Sequence, residues 1–386
     1  MTIIFNAILR IQYFPKPWKL AQIKMLHKPG KDLHQAASYR PISLLPVFSK
    51  ILEKIIYCRI KTIIETRKLI PDHQFDFRNK HSTIDQMHRL INEIIIALEH
   101  KEYCTALFMD IEEAFDKINH ESLLQAIRKQ FPEQVHQLIK SYLSSRTFVI
   151  KIKDTQSQVK DIKAGVPQGS VLGPILYTLY TANIPTTINS TVLTFADDTA
   201  ILARHTNSET AVKTLQEHMT KIENWLQEKQ IKANPNKCNH VTFTLRKKIP
   251  PNILLNGTHI TQTKHVKYLG LHLDTQLTWK LHIKSIVEKI QKTRRQMHWL
   301  TSRKSKLSIE SKLKIYKTII KPIWTYGIPL WGTSATIHIN KIEIIQAKIL
   351  RTVVKAPWYV RNDDIRKDLG IPTVKEEISK YSEKYK

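Results

Sequence analysis

Apolar residues recur with helical spacing from Val47 to Arg67 and again from Thr83 to Glu99, predicting two amphipathic helices. A shorter apolar stretch, Thr2 to Ile11, fits a buried helix, and Pro15, Pro17, Pro29-Gly30 and Pro41 punctuate the chain between it and Val47. After Glu99 the pattern changes. Residues 103–109, Tyr-Cys-Thr-Ala-Leu-Phe-Met, form an unbroken apolar run that ends on Asp110, as a buried strand would. Leu123, Leu124, Ile127 and Phe131 mark a helix after Asn119-His120, with Ser122 near its start. Phe148 to Ile152 and Val159 to Ile162 read as strands around a polar turn at Asp154 to Ser157.

Residues 191–203 contain two apolar segments separated by Asp197-Asp198, a hairpin with two carboxylates at its tip. Val212, Leu215, Met219, Ile222 and Leu226 then share one helical face and predict a core-facing helix, too short for a coiled coil. Val241 to Leu245, Ile253 to Leu255 and Val266 to Leu273 read as further short strands. From about Trp279 the pattern is helical and basic. Strands in the middle with helices before and after predict an α+β core flanked by helical lobes.

Charge narrows the class of partner. The 386 residues carry a formal net charge of +28, which points to a polyanion, nucleic acid before membrane surface. Lys280 to Lys321 holds 13 Lys/Arg against Glu288 and Glu310, with Trp279, Trp299, Tyr316, Trp324 and Tyr326 in or beside it. Two readings stay open there: a nucleic-acid groove with interleaved aromatics, or a helical face with the rings in the core. Cys58, Cys104 and Cys238 are too dispersed for a disulfide framework or a zinc cluster, which suits a reducing compartment. No apolar run reaches membrane-spanning length, and Thr2 to Ile11 lacks the marks of a signal peptide. The expectation is an intracellular protein, cytoplasmic or nuclear, not secreted and without a membrane partner.

Two segments carry chemistry. Asp110 ends one apolar strand, and Asp197 and Asp198 stand at a hairpin tip 87 residues later. If the strands are neighbours, three carboxylates converge and raise one another's pKa, a cost that a hard divalent cation removes. Alone, an Asp-Asp pair on a turn is more often a cap or solvated charge. The second segment, Ala164 to Pro174, is dense in glycine and proline and leads into the buried run Ile175 to Tyr180. Such backbone lets a substrate approach closely, with Gln168 as the polar side chain placed to read it. A tight connection without a ligand is the competing reading.

These segments resemble the signature blocks of reverse transcriptases, specifically the jockey-type non-LTR retrotransposon polymerases of animals. Phe108-Met109-Asp110-Ile111-Glu112-Glu113-Ala114-Phe115-Asp116-Lys117 resembles the first catalytic block, Ala164 to Pro174 the nucleotide-binding block, and Phe195-Ala196-Asp197-Asp198 the second catalytic block. Ser38 to Leu45 and Pro71 to Arg78 look like fingers blocks; Ile231 to Cys238 and Val266 to Leu271 look like later palm blocks. Lys321 to Gly327 and Ala356 to Val360 resemble the thumb and C-terminal segment. The ordered series covers nearly the whole chain.

The resemblance implies a right-hand polymerase: fingers at 1–100 with a second segment at 117–160, palm at 101–275 around that insertion, thumb and helical extension at 276–386. It implies an RNA-directed DNA polymerase that extends a primer 3′-hydroxyl with dNTPs on an RNA template by a two-metal mechanism. Asp110, Asp197 and Asp198, with the Ile111 carbonyl, would hold two Mg²⁺ ions, or Mn²⁺ in their place. Phe115 would be a steric gate against a 2′-hydroxyl. Arg78 and Arg40 would contact the triphosphate, Gln168 and Gly169 the incoming nucleotide, and Lys237 the leaving pyrophosphate. Tyr268, Leu269 and Gly270 would form the primer grip. Glu112 and Glu113 are expected to point elsewhere, and Asp116 to be structural.

Asp76 departs from the family, which usually has glycine there. Aspartate tolerates left-handed backbone, but it adds negative charge near a triphosphate site. No endonuclease block, RNase H cluster or zinc knuckle is legible, so the expectation is the polymerase portion of an element copy. A catalytically inactive RNA-binding remnant on the same fold is the alternative.

Overall fold

The computed structural model describes all residues except Asn79, Glu113, Ile249, Tyr385 and Lys386. It forms two compact units. The first holds Met1–Gln86, Cys104–His240 and Lys248–Gln262; the second holds Met87–Tyr103, Val241–Lys247 and Thr263–Lys386.

In the first unit the helices are α1 (Thr2–Ile11), α2 (Val47–Arg67) and the start of α3 (Thr83–Glu99), then α4 (His120–Gln130), α5 (Glu133–Leu143), α6 (Gly173–Thr181) and α7 (Ser208–Glu228). Helices α2 and α3 have the bounds their periodicity predicts. The apolar stripe of α7, Val212 to Leu226, is buried as expected. Asn207 caps α7, its side chain accepting from the Glu209 and Thr210 amides. Helix α1 is only half buried: Phe5 and Ile8 face the core, while Ile3, Ile4 and Ile11 are exposed.

One sheet contains β1 (Leu20–His27) and β2 (Tyr39–Leu44), which the sequence of residues 1–100, mixed but mostly helical in its pattern, does not announce. Strand β1 runs antiparallel to β2 and parallel to a strand from the later insertion. Pro41 sits in β2 at the sheet edge, where a missing N–H costs no ladder bond. The other sheet contains β3 (Tyr103–Glu112), which runs two residues past the expected end at Asp110.

Residues 146–162 supply β4 (Arg146–Ile152), β5 (Thr155–Gln156) and β6 (Lys160–Ile162) to the first sheet. Thr155-Gln156, expected within a turn, is paired with Lys151-Ile152 of β4. Strands β7 (Ser190–Phe195) and β8 (Asp198–His205) form the expected hairpin, and β8 lies between β7 and β3. Then β9 (Lys232–Ala233) pairs with the end of β3, and β10 (Asn239–Phe243) brings His240 Nε2 to 2.7 Å from Thr105 Oγ1 of β3. The small hairpin β11 (Ile253–Leu255) and β12 (Thr258–Ile260) packs against α7.

The second unit takes the rest of α3 and, beyond Gln262, continues with β13 (His265–Tyr268) and β14 (Leu271–Asp274). Val266 to Leu273 is therefore a hairpin rather than one strand. Leu269 and Gly270 form its turn, both with positive φ, 42° and 84°. Helix α8 (Lys280–Gln296) is followed by short helical turns, from α9 (His298–Thr301) through α10 (Ile309–Ile315) and α11 (Lys321–Thr325) to α12 (Ile328–Trp331). The long α13 (Thr336–Val353) packs on α8, and α14 (Asn362–Leu369) and α15 (Val374–Glu383) close the unit.

Trp279, Tyr316 and Trp324 of the basic stretch are buried, whereas Trp299 is exposed. For three of the five rings the core reading holds. Among the described residues no two cysteines form a disulfide, and no helix is long and apolar enough to cross a membrane.

Candidate active site

The centres of β3, β7 and β8 are buried on both faces, which their unbroken apolar runs require. Polar groups are left to the strand ends. Phe195 pairs with Asp198 across the two-residue turn Ala196-Asp197, and Ala196 takes a φ of 54° to close it. Asp110 lies near the end of the neighbouring β3, where its carbonyl accepts from the Asn234 amide at 3.1 Å.

The Asp110 charge acts on both acids of the hairpin tip. Burial raises the pKa of Asp198 to about 6, with further contributions from the charges of Asp197 and Asp110. Burial also raises Asp197, as does Asp110, while Arg40 acts the other way. Arg40, on β2, is thus the cation that partly offsets Asp197. Lys237 Nζ lies 3.1 Å from Asp110 Oδ2. Ile111 pairs with Ala233 of β9.

Among the described residues no group of three or more His, Cys, Asp or Glu side chains has ready-made metal-holding geometry. The donor chemistry nonetheless fits a divalent cation. Mutually repelling oxygens need positive charge, and Mg²⁺ commonly takes one or two carboxylates and completes its shell with water and substrate phosphates.

Residues 72–78 are stitched to the hairpin beneath those acids. Gln74 bridges Thr194 of β7, the Phe75 amide donates to the Thr194 carbonyl, and the Thr194 amide donates to His73. Buried Gln86, at the start of α3, donates from Nε2 to the same Thr194 carbonyl. Asp76 is half-buried. Burial raises its pKa to about 6, the Phe77 amide opposes this, and the Asp197 charge adds to it. The left-handed residue is Phe77 at φ 56°, not Asp76, so the conformational tolerance of aspartate does not account for it. Arg78 turns back on its own loop: Nη1 donates to the Pro71 carbonyl at 3.1 Å, and Nη2 lies 3.4 Å from Asp72 Oδ1. It lines a cavity of about 440 Å³ with Lys61, Phe77, His81 and Ile175.

The glycine-rich segment meets the turn that follows β3. The Val166 amide donates to Phe115, and the Gly165 amide donates to Ile118. A Cβ on Gly165 would stand 2.5 Å from the Asp116 carbonyl oxygen, and its φ is +82°, so glycine is required. Gly169 lies as close to β2: a Cβ there would be 2.8 Å from the Ser43 carbonyl. The Ser43 amide donates to the Gln168 carbonyl at 2.8 Å, which fixes Gln168 through its backbone. Phe115 packs on Tyr177 of α6, ring centroids 4.9 Å apart. Burial, then the charges of Asp197 and Asp198, push the Tyr177 phenol up, which puts this aromatic pair beside the acids.

Tyr268, Leu269 and Gly270 belong to the second unit. Tyr268 is buried. The Tyr326 hydroxyl donates to the Leu269 carbonyl at 2.6 Å, and a Cβ on Gly270 would meet the Tyr326 ring at 3.0 Å.

Glu112 points to Asn234, whose Nδ2 donates to it at 2.5 Å; Glu113 lies outside the described residues. Asn234, which binds both the Asp110 carbonyl and Glu112, escapes a reading of the sequence because its role depends on the β3–β9 register. Glu53 escapes it too. Its signal was present: an acid on the buried stripe of α2, beside Leu52 and Ile56, must find donors.

Residues 26–273 match the family described as "Reverse transcriptase (RNA-dependent DNA polymerase)". The whole chain aligns at 40% identity with the "Probable RNA-directed DNA polymerase from transposon BS" of Drosophila melanogaster, covering 44% of that protein. It aligns at 40% identity with the "RNA-directed DNA polymerase from mobile element jockey" of the same organism, covering 43%. The chain thus spans less than half the length of these curated relatives. Among solved structures, apo telomerase from Candida tropicalis superposes with a TM-score of 0.50 at 14% identity, over 91% of this chain and 63% of that one.

Proposed function

Because this chain belongs to the reverse transcriptase (RNA-dependent DNA polymerase) family, we propose that it extends a primer 3′-hydroxyl with dNTPs along an RNA template. Its fold is α+β, of the right-hand polymerase class. We assign residues 1–100 and 117–160 to fingers, the rest of 101–275 to palm, and 276–386 to thumb and extension.

The observation that carries the reading is the gathering of Asp110, Asp197 and Asp198 at the ends of two neighbouring strands, close enough that the Asp110 charge raises the pKa of both Asp197 and Asp198. Repelling carboxylates at one sheet edge are costly to keep unless they bind positive charge. Reverse transcriptases generally use divalent metal ions. Asp110, Asp197, Asp198 and the Ile111 carbonyl would hold Mg²⁺ or Mn²⁺, which when bound supplies Lewis-acid activation and charge neutralisation.

The reaction joins the primer 3′-oxygen to the α-phosphorus of a dNTP and releases pyrophosphate. Around it the chain's own residues bind and orient. Arg40 is placed for phosphate charge, and Arg78 could exchange its loop carbonyls for a triphosphate, using the guanidinium fork. Lys237 stands at Asp110, where it could meet the leaving group. Phe115, braced on Tyr177, would close the space under the sugar and so select deoxynucleotides. Gln168 and Gly169 would border the nucleotide, and Tyr268, Leu269 and Gly270 would position the primer. An RNA–DNA hybrid is recognised by shape and backbone, which suits a charge of +28 and no base-specific motif. The work would lie inside the cell, in cytoplasm or nucleus.

Asp76 favours a second reading, a catalytically inactive RNA-binding remnant, because it adds a carboxyl close enough to the site for the Asp197 charge to act on it. Primer extension decides between them. The protein receives an RNA template annealed to a DNA primer, dNTPs and Mg²⁺, beside Asp198→Asn. Extension by the wild type alone supports the polymerase. Hybrid binding without extension by either protein leaves the remnant, and equal extension by both means the site is wrong.

A further inference from the structure

Among the described residues the most completely buried acid outside the candidate site is Glu53, with no exposed surface, in the middle of α2. Burying a carboxyl is costly without donors, and Glu53 has four. The Val171 and Leu172 amides donate to Oε2 at 2.7 and 3.2 Å. The Tyr142 hydroxyl donates to the same oxygen at 3.4 Å, and Ser49 Oγ donates to Oε1 at 3.0 Å. Four donors aimed at two oxygens match an acceptor-only group.

Leu172 is the N-cap of α6 and has no side-chain cap of its own. Glu53 therefore supplies from α2 the negative charge that a helix start favours. The surrounding groups form one buried assembly. Burial and then the Glu53 charge push the Tyr142 phenol up, while Arg146 acts the other way. The guanidinium of Arg146, itself fully buried, lies over the Tyr142 ring, 4.7 Å from its centroid.

The two anchored amides directly follow the segment that would meet the nucleotide. Ser43 holds the Gln168 carbonyl on one side, and Glu53 holds residues 171 and 172 on the other. Between them lie Gly169, at φ +111°, and Ser170, whose Oγ accepts from the Gly173 amide. With both ends tied, Gln168 and Gly169 have one path available.

We propose that Glu53 is a positioning residue for the incoming nucleotide, acting through the Val171 and Leu172 amides to set Gln168 and Gly169. This rests on the polymerase reading above. Loss of the anchor should weaken nucleotide binding while leaving hybrid binding and chemistry at saturation in place.

The test compares wild type with Glu53→Gln, which keeps the shape but turns an NH₂ toward the donors, and with Tyr142→Phe, which removes the longest of the four bonds and a hydrogen bond to Ser170 but leaves both amide anchors in place. Two quantities are read: KM and kcat for dNTP in primer extension, and dNTP Kd on a hybrid whose primer ends in a dideoxynucleotide. The expected result is a rise of about tenfold in both KM and Kd for Glu53→Gln, with kcat and hybrid affinity within twofold of wild type. Tyr142→Phe should stay within about twofold throughout. Unchanged KM and Kd in Glu53→Gln would overturn the proposal, as would a parallel loss of hybrid affinity, which indicates general destabilisation. A wild type that binds dNTP but does not extend sinks the polymerase activity and leaves the anchor to be judged by Kd. A wild type that neither binds nor extends sinks both.

Discussion

Lys237 Nζ stands 3.1 Å from Asp110 Oδ2, joining a residue of the turn before β10 to the acid near the end of β3. Both side chains are well exposed, so the pair itself adds little stability, about 0–1 kcal/mol. Its effect falls on cations instead. An ammonium and a divalent ion compete for the same oxygen. Lys237→Ala should bind Mn²⁺ several-fold more tightly by calorimetric titration and leave the melting temperature within about 2 °C. Primer extension should nevertheless fall at least tenfold if the lysine serves the leaving group. Unchanged Mn²⁺ affinity would mean the contact has no bearing on the site.

Asp76 gives a pH dependence with a definite sign. Its pKa is raised from 3.8 to about 6, first by burial and then by Asp197. A carboxyl with a raised pKa costs the folded state nothing while it is protonated in both states. The cost grows as pH rises from about 4 to 6 and is complete above that. Asp76→Asn should therefore match wild type in stability near pH 3.5 and exceed it at pH 7.5. Solvent screening at this half-buried position holds the gain to roughly 1 kcal/mol or less. Urea titrations at the two pH values read this out; a difference of equal size at both would show that charge is not its origin.

Gly165→Ala tests how tightly the glycine-rich segment is bound to the turn after β3. The new methyl would meet the Asp116 carbonyl at 2.5 Å on a backbone of φ +82°. A loss of about 2–3 kcal/mol or more is expected, from strain and backbone displacement together. Gly257→Ala is the comparison: its φ is +71° but nothing lies within 4 Å, so only the strain should appear. Equal midpoints in urea for the two variants would contradict the close approach.

Phe115→Val should open the space beside Tyr177, whose ring centroid is 4.9 Å away. Single-nucleotide incorporation should show dNTP preference over rNTP falling by about tenfold or more, a range typical of shape-based selection. If rNTP stays excluded, Phe115 is a core aromatic and the gate lies elsewhere.

What could be read in advance tracks physical range. The spacing in α2 and α3 and the apolar runs of β3 and the β7–β8 hairpin are local signals, and the structure keeps them. Strands β1 and β2 were not legible: Leu20–His27 mixes lysine and glutamine with apolar residues, and β2 contains Pro41. The turn at Leu269-Gly270 was hidden because leucine, a poor left-handed residue, precedes the glycine. The Asp-Asp tip was visible in sequence, but its setting was not. Asn234 beside Asp110, Thr194 tied to residues 73–75, and Glu53 under the loop at 171 all depend on pairings across more than a hundred residues.

The pairing of Ile111 with Ala233 also sets a timetable. A ribosome releases Asp110 well before Asp197, and Asn234 and Lys237 emerge later still. Until they do, the nascent chain carries its acids without the partners that will hold them, and the end of β3 is an open edge. Closing so long a loop is slow, and an open edge invites pairing with other strands. A chaperone that shields apolar strands during synthesis should thus raise the yield of active protein far more than one added after release.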